Sequence, residues 1–143
     1  MSPVTDPADV SSIDAIIHAM YEVISGPAGQ AREWERFRSL YYPGARLVPI
    51  VSLEGHAAQA RVLSPEEYIR RVEPIFAKED FWERETRCEC QTFGRMAHVL
   101  SFYESLRDPE GPPFESGVNS VQLVNDGSRW WILSVVWNTA RSQ

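Results

Sequence analysis

Cysteine is almost absent from this 143-residue chain; the two that occur are Cys88 and Cys90. Two residues apart on a strand they point the same way, a poor arrangement for a disulfide. A reduced, cytoplasmic setting is therefore expected. A tetrahedral zinc site wants four ligands, and no second cysteine pair exists to complete one, so the two read as core thiols. Histidine is scarce too. His18, His56 and His98 are far apart in sequence, and no cluster of His, Cys and carboxylates has ligand spacing. No catalytic metal or other cofactor is expected. Positive charge is in deficit, with 14 Lys and Arg against 20 Asp and Glu and a net charge of -6. That balance argues against nucleic-acid and anionic-membrane partners, which need basic surface. No apolar run approaches the roughly 18 residues of a membrane helix. The stretch from Met1 to Asp9 lacks a basic segment followed by an apolar one, so no secretory signal is read there. Neither a glycine-rich phosphate loop nor a serine nucleophile elbow occurs.

What the chain does have is the pattern of a single α+β domain. Hydrophobic residues make up 43% and charged residues 24%, ordinary values for a globular protein. A chain of this length buries roughly 70% of its unfolded surface. Residues 1–11 are rich in Pro, Asp and Ser and are expected to form a loose tail, with one domain over 12–139. Ile13, Ile16, Ile17, Met20 and Ile24 recur at helical spacing after a serine cap, and Ser25-Gly26-Pro27 ends that helix. A second helix is expected from about Gln30, carrying Trp34, Phe37 and Tyr41, and stopping at Pro43-Gly44. A strand over 45–53 and a return strand over 59–63 flank the Glu54-Gly55 turn. Ser64-Pro65-Glu66-Glu67 opens a third helix with a capping box, and Pro74 is expected to kink or end it. From Phe81 the pattern turns extended, with strands at about 82–92, 95–106, 115–125 and 128–138.

Helices first, a short hairpin, a third helix and a long antiparallel meander resemble the nuclear transport factor two-like superfamily. Local wording carries the likeness further. Residues 34–46, Phe81-Trp82-Glu83-Arg84-Glu85, Ala97-His98-Val99, Tyr103-Glu104, the stretch from Asn119 to Gly127, and Arg129-Trp130-Trp131-Ile132 resemble a bacterial SnoaL-like subgroup. The similarity covers about residues 12–138. It implies a cone-shaped curved antiparallel sheet packed against about three helices, the cystatin-like or SnoaL-like α+β barrel. The fold hosts isomerases, cyclases, dehydratases and non-catalytic binders. Its steroid-isomerase relatives use a carboxylate base near the end of the first strand, with tyrosine and carboxylic acid donors. Here that strand reads Arg46-Leu47-Val48-Pro49-Ile50 and offers no acid. On this resemblance Tyr21 corresponds to the donor tyrosine.

Turn chemistry assigns faces to the strands. A two-residue Asp126-Gly127 turn would pair Asn125 with Ser128. It sets Leu123, Val121 and Asn119 on one side with Trp130, Ile132 and Ser134. A turn at Gly94-Arg95 groups Cys88, Cys90, Ala97, Val99, Ser101 and Tyr103. Glu85, Arg87, Glu89, His98, Leu100 and Phe102 fall opposite. The more uniformly apolar Val121 side is taken as inward. The cone then presents Tyr103, Asn119, Ser101 and Ser134 as polar points, walled by Trp34, Phe37, Tyr41 and Tyr68. No aspartate or glutamate past Glu83 is inward, the strand-end Glu104 aside.

Ser101, Tyr103, Asn119, Ser134, Trp34, Tyr41 and Tyr68 are thus the candidate ligand-binding residues, suited to a small, largely apolar molecule with one or two oxygens. Binding of such a ligand is the leading expectation. A cyclase, isomerase or dehydratase using His, Tyr and Asn donors, or a protein-interaction module, are the alternatives. A cavity-lining carboxylate or histidine would favour the enzyme. The outer face keeps Trp131, Leu133, Val135 and Trp137 beside Leu100, Phe102 and Val118, and a homodimer through that face is expected.

Overall fold

The computed structural model describes residues 5–141. In chain order the elements are α1 (Pro7–Val10), α2 (Ile13–Glu22), α3 (Trp34–Ser39), β1 (Tyr41–Val51), β2 (Gln59–Ala60), α4 (Pro65–Phe76), β3 (Trp82–Phe93), β4 (Met96–Leu106), β5 (Pro113–Asn125) and β6 (Trp130–Arg141). The six strands form one curved sheet in the order β2-β1-β6-β5-β4-β3. Neighbours run antiparallel except β1 and β6, which are parallel, so the sheet is mixed. Helices cover its concave side, an α+β arrangement. Among the described residues no helix is long and apolar enough to cross a membrane.

Short local signals set the helix ends. Ser12 accepts from the Ala15 N–H at the start of α2. Ser64 and Glu67 close a reciprocal capping box with bonds of 2.9 and 3.1 Å, with Pro65 at the first helical position. Pro74 lies inside α4, which runs two residues further and stops at Phe76. The second helix starts at Trp34, later than its sequence suggests. Arg32 is the cause: its buried guanidinium donates to the carbonyls of Ile24, Gly26, Pro27 and Gln30, and residues 30–33 wrap around it as a loop. The expected loose tail is corrected from Asp6 onward. Asp6 caps α1, and Asp9, 7% exposed, takes a two-pronged ion pair from Arg36 at 2.8 and 3.0 Å. Residues 1–4 of that expected tail lie outside the described residues.

Two bulges decide which side chains face the helices. The β3–β4 hairpin pairs Phe93 with Met96 across Gly94-Arg95, as the turn residues dictate, and continues to Cys88 opposite Ser101. At Thr86 one extra residue intervenes, so Glu85 pairs with Tyr103 and Glu83 with Ser105. An inserted residue reverses the alternation beyond it, and both glutamates turn to the concave side. Glu85 thus leaves the outer face where strict alternation puts it. The β5–β6 turn spans four residues, with Asn125 opposite Trp130. Asp126 accepts there from the N–H groups of Ser128 and Arg129, which closes the longer loop. Leu133 is then extra: Leu123 pairs with Ile132 but Gln122 with Ser134. The expected inward place of Ser134 is therefore corrected to the outer face. Val135, 3% exposed, and Trp137 move the other way, into the core side. The expected core thiols Cys88 and Cys90 share the face of Ser101 and Val99, but both are exposed. They lie on the sheet's edge strand, toward its hairpin end, where that face stays open to solvent.

Candidate functional site

One cavity of about 340 Å³ opens between the concave sheet and the helices. Its walls are aromatic and aliphatic: Met20 and Ile24 from α2, Phe37 from α3, Tyr41 and Leu47 from β1, Tyr68, Val72 and Phe76 from α4, and Val135 and Trp137 from β6. Phe37 stacks on Tyr68 at 5.5 Å and leans on Tyr41 at 4.8 Å, and Tyr68 meets Trp137 edge-on at 6.0 Å. These contacts hold the tyrosine rings in place. The exposed side chains of Arg71, Glu79 and Arg107 ring the mouth. Arg107 lies over the Phe114 ring at 4.0 Å and donates to the Asp80 carbonyl.

Inside this apolar shell sit carboxylates and hydroxyls. Glu83, Ser105 and Glu115 are consecutive partners across β3, β4 and β5, and both glutamates line the cavity. Burial pushes the Glu83 carboxyl up to about 8; a long 3.4 Å bond from Ser105 opposes this weakly and the Glu115 charge adds to it. Such a group is half-ionised near pH 8 and still mostly protonated at neutral pH. Its backbone is pinned by Ser25, whose hydroxyl accepts from the Glu83 N–H at 3.1 Å. Glu83 also borders a second hollow, beside Tyr21 and Ser25.

Tyr41, Tyr68 and Tyr103 are raised above the usual phenol range, chiefly by burial and then by the nearby Glu83 charge. All three remain neutral hydroxyl donors at physiological pH. Among the described residues none of these hydroxyls bonds to protein, and no sealed side-chain oxygen or nitrogen lacks a partner. The Tyr41 and Tyr68 hydroxyls therefore open on the cavity, and Tyr103 lines both the cavity and a shallow hollow beside Gly117. Gly117 lets Tyr103 lie flat across β5: a Cβ there would come within 2.5 Å of the Tyr103 hydroxyl.

The sequence-named residues divide as follows. Tyr41, Tyr68, Tyr103 and Asn119 line the cavity. Ser101 is fully buried but bonds to Tyr21 and Glu85 beside it. Trp34 packs on Phe37 and Phe76 and faces a shallow hollow near Gly29 and Ala77. Ser134 is on the other side of the sheet. No histidine among the described residues lines the cavity. His18 is exposed and pairs with Glu22 at 2.8 Å, His98 bonds Ser120 at 3.0 Å on the outer face, and His56 is exposed in a turn. The groups that sequence reasoning missed are Glu83, Glu115 and the inward turn of Glu85. Simple alternation from Asn119 through Gly117 places Glu115 inward and was the available signal.

No protein-family model and no curated protein matches the sequence. Solved structures do. An NTF2-like protein of unknown function from Silicibacter pomeroyi is 15% identical, with a TM-score of 0.61, over 91% of this chain and 94% of that one. An NTF2-like family protein from Streptomyces avermitilis, proposed to be a dehydratase, is 18% identical, with a TM-score of 0.64 over 94% and 97%. A cystatin-like-fold protein from Caulobacter vibrioides is 15% identical, with a TM-score of 0.64 over 92% and 89%. The chain has the NTF2-like, cystatin-like fold.

Proposed function

We propose that this NTF2-like domain is a proton-transfer enzyme of the isomerase or dehydratase type, acting on a small, largely apolar carbonyl compound held in the cavity. The observation that carries this is Glu83: a carboxyl raised to about 8 in a cavity lined by aromatic side chains. A general base works best with a pKa near the operating pH. Glu83 would take a proton from the carbon next to the carbonyl, and the C–H electron pair would move onto the carbonyl oxygen. A neutral tyrosine hydroxyl, from Tyr41, Tyr68 or Tyr103, would stabilise that oxygen by donating a hydrogen bond. Return of the proton from Glu83 to a different carbon gives an isomer; loss of a hydroxide from the β-carbon, protonated as it leaves, gives dehydration. This reading replaces the histidine donors suggested by sequence with a glutamate.

The experiment is hydrogen exchange at carbon. Cyclohexanone and 2-tetralone are incubated with the protein in D₂O and their α-protons followed by NMR. Exchange above the buffer rate is expected, rising with pH as Glu83 ionises and levelling above about pH 8. Ketones that bind but exchange no faster than in buffer would leave a passive ligand-binding domain. We also infer that the domain pairs through its outer sheet face with a second copy of itself. Tyr42, Leu133 and Met96 are 41%, 43% and 59% exposed there, beside half-buried Trp131, Val136, Leu100 and Phe102.

A further inference from the structure

A chain of buried hydrogen bonds leads away from the cavity through Asn119. Its Nδ2 donates to the Tyr21 hydroxyl at 2.9 Å. The Tyr21 and Ser101 hydroxyls are 2.6 Å apart, and Ser101 donates to Glu85 at the sheet edge. Ser101 is 0% exposed, and Tyr21 and Asn119 are each 5% exposed. The direction of this chain is fixed from its outer end. A carboxylate only accepts, so the single Ser101 hydrogen goes to Glu85. Ser101 must then accept from Tyr21, which commits the Tyr21 hydrogen. Tyr21 has only acceptor capacity left, and Asn119 must meet it with nitrogen and not with oxygen.

The consequence lies on the cavity side. Asn119 Oδ1 takes no hydrogen bond among the described residues, yet no sealed side-chain oxygen lacks a partner. It therefore opens on the cavity that Asn119 lines. We propose that Glu85, acting through Ser101 and Tyr21, is a positioning residue that holds Asn119 with its carbonyl oxygen toward the ligand, so that the site selects apolar molecules carrying an N–H or O–H donor. This rests on the reading that a small apolar molecule occupies the cavity. It adds a requirement to the substrate: beside the carbonyl handled by Glu83 and the tyrosines, it bears a donor group that reaches Asn119. Tyr21, whose hydrogen is already committed to Ser101, is no donor to the ligand.

Three molecules of nearly one shape test this by calorimetry. Indole offers an N–H donor, benzofuran an oxygen acceptor, and indene neither. Indole is expected to bind the wild-type protein about tenfold more tightly than the other two, the worth of one neutral hydrogen bond in a buried site. In Ser101→Ala the Tyr21 hydrogen loses its acceptor and turns to the Asn119 oxygen. The amide rotates, its NH₂ group faces the cavity, and the order reverses, with benzofuran ahead of indole. In Asn119→Leu indole should lose its lead over indene, which keeps the test decisive if Ser101→Ala does not fold. A merely structural role for the chain would weaken all three ligands together and would not reorder them. Equal binding of the three to the wild type overturns this inference and leaves the cavity reading standing. Failure of all three to bind overturns the cavity reading and this one with it.

Discussion

Glu83→Gln is expected to slow protein-catalysed α-proton exchange by about 10²–10⁴-fold, the range for loss of a general base. The amide keeps the size of the carboxyl and its bond to Ser105 but cannot accept the proton. Ligand binding should survive, since the aromatic wall is untouched. The same variant carries a second, opposite effect on stability. The folded-state pKa of Glu83 is raised to about 8. In the unfolded chain it is that of an ordinary glutamate. Below the ordinary range both states hold the proton, and the contribution of Glu83 is complete. Between there and about pH 8 the unfolded chain ionises while the folded chain does not, so stability drains away as pH rises. Allowing for contact of the carboxyl with water in the cavity, the loss is on the order of 2–3 kcal/mol. For a domain of this size that is roughly 5–10 °C in Tm. Wild type and Glu83→Gln should thus melt nearly together at pH 5, and the variant should melt higher at pH 9. A variant that loses exchange and loses stability at both pH values would instead mark Glu83 as structural.

Leu133→Glu is expected to abolish self-association. The wild-type chain should sediment at about twice its 16.3 kDa. Leu133 is the bulge residue of β6, 43% exposed in the middle of the outer face. In a two-fold pairing a glutamate there appears twice, each copy buried without a partner. That weakens the dimer by at least about 100-fold, if each copy costs only ~1.5 kcal/mol. Trp131 is the less informative position. Arg129 stacks over it at 3.5 Å, Tyr42 meets it edge-on at 5.5 Å, and its ring nitrogen donates to Asp126, so replacing it disturbs the protomer as well. Arg70→Glu on the exposed side of α4 should leave the dimer intact. A wild-type chain that stays at 16 kDa at micromolar concentration would rule out the pairing.

The fold was legible because its signals are local and redundant. The Ser64 capping box, the Gly94-Arg95 turn and the apolar stripe of α2 each need only a few neighbouring residues. The β3–β4 register followed correctly from its turn as far as Cys88, beyond which Thr86 interrupts it. What failed was parity across a distance. Period-two alternation gives a face only until one residue is inserted. The bulge at Thr86 turned Glu85 inward, and the one at Leu133 exchanged Ser134 for Val135 and Trp137. Nothing in Glu85-Thr86-Arg87 announces an insertion. The unbroken apolar run from Trp130 to Leu133 hid the second bulge, because both faces of β6 are apolar and either register looked acceptable. Tyr41, Tyr68 and Tyr103, expected at the cone, do line the cavity; what lay beyond reach was their common nearness to Glu83, because the four residues come from separated elements and meet only in the folded chain. Cysteine burial was misjudged for a related reason, since the correct face does not tell whether a helix covers it.

The central claim is that Glu83 holds its proton to near neutral pH inside the cavity. Carbon-13 NMR of protein labelled at the glutamate carboxyl tests it most directly. One resonance should titrate near pH 8 and be absent from the spectrum of Glu83→Gln. If every glutamate carboxyl of the wild-type protein titrates in the ordinary range below about pH 5.5, Glu83 is not the base and the proton-transfer account is wrong.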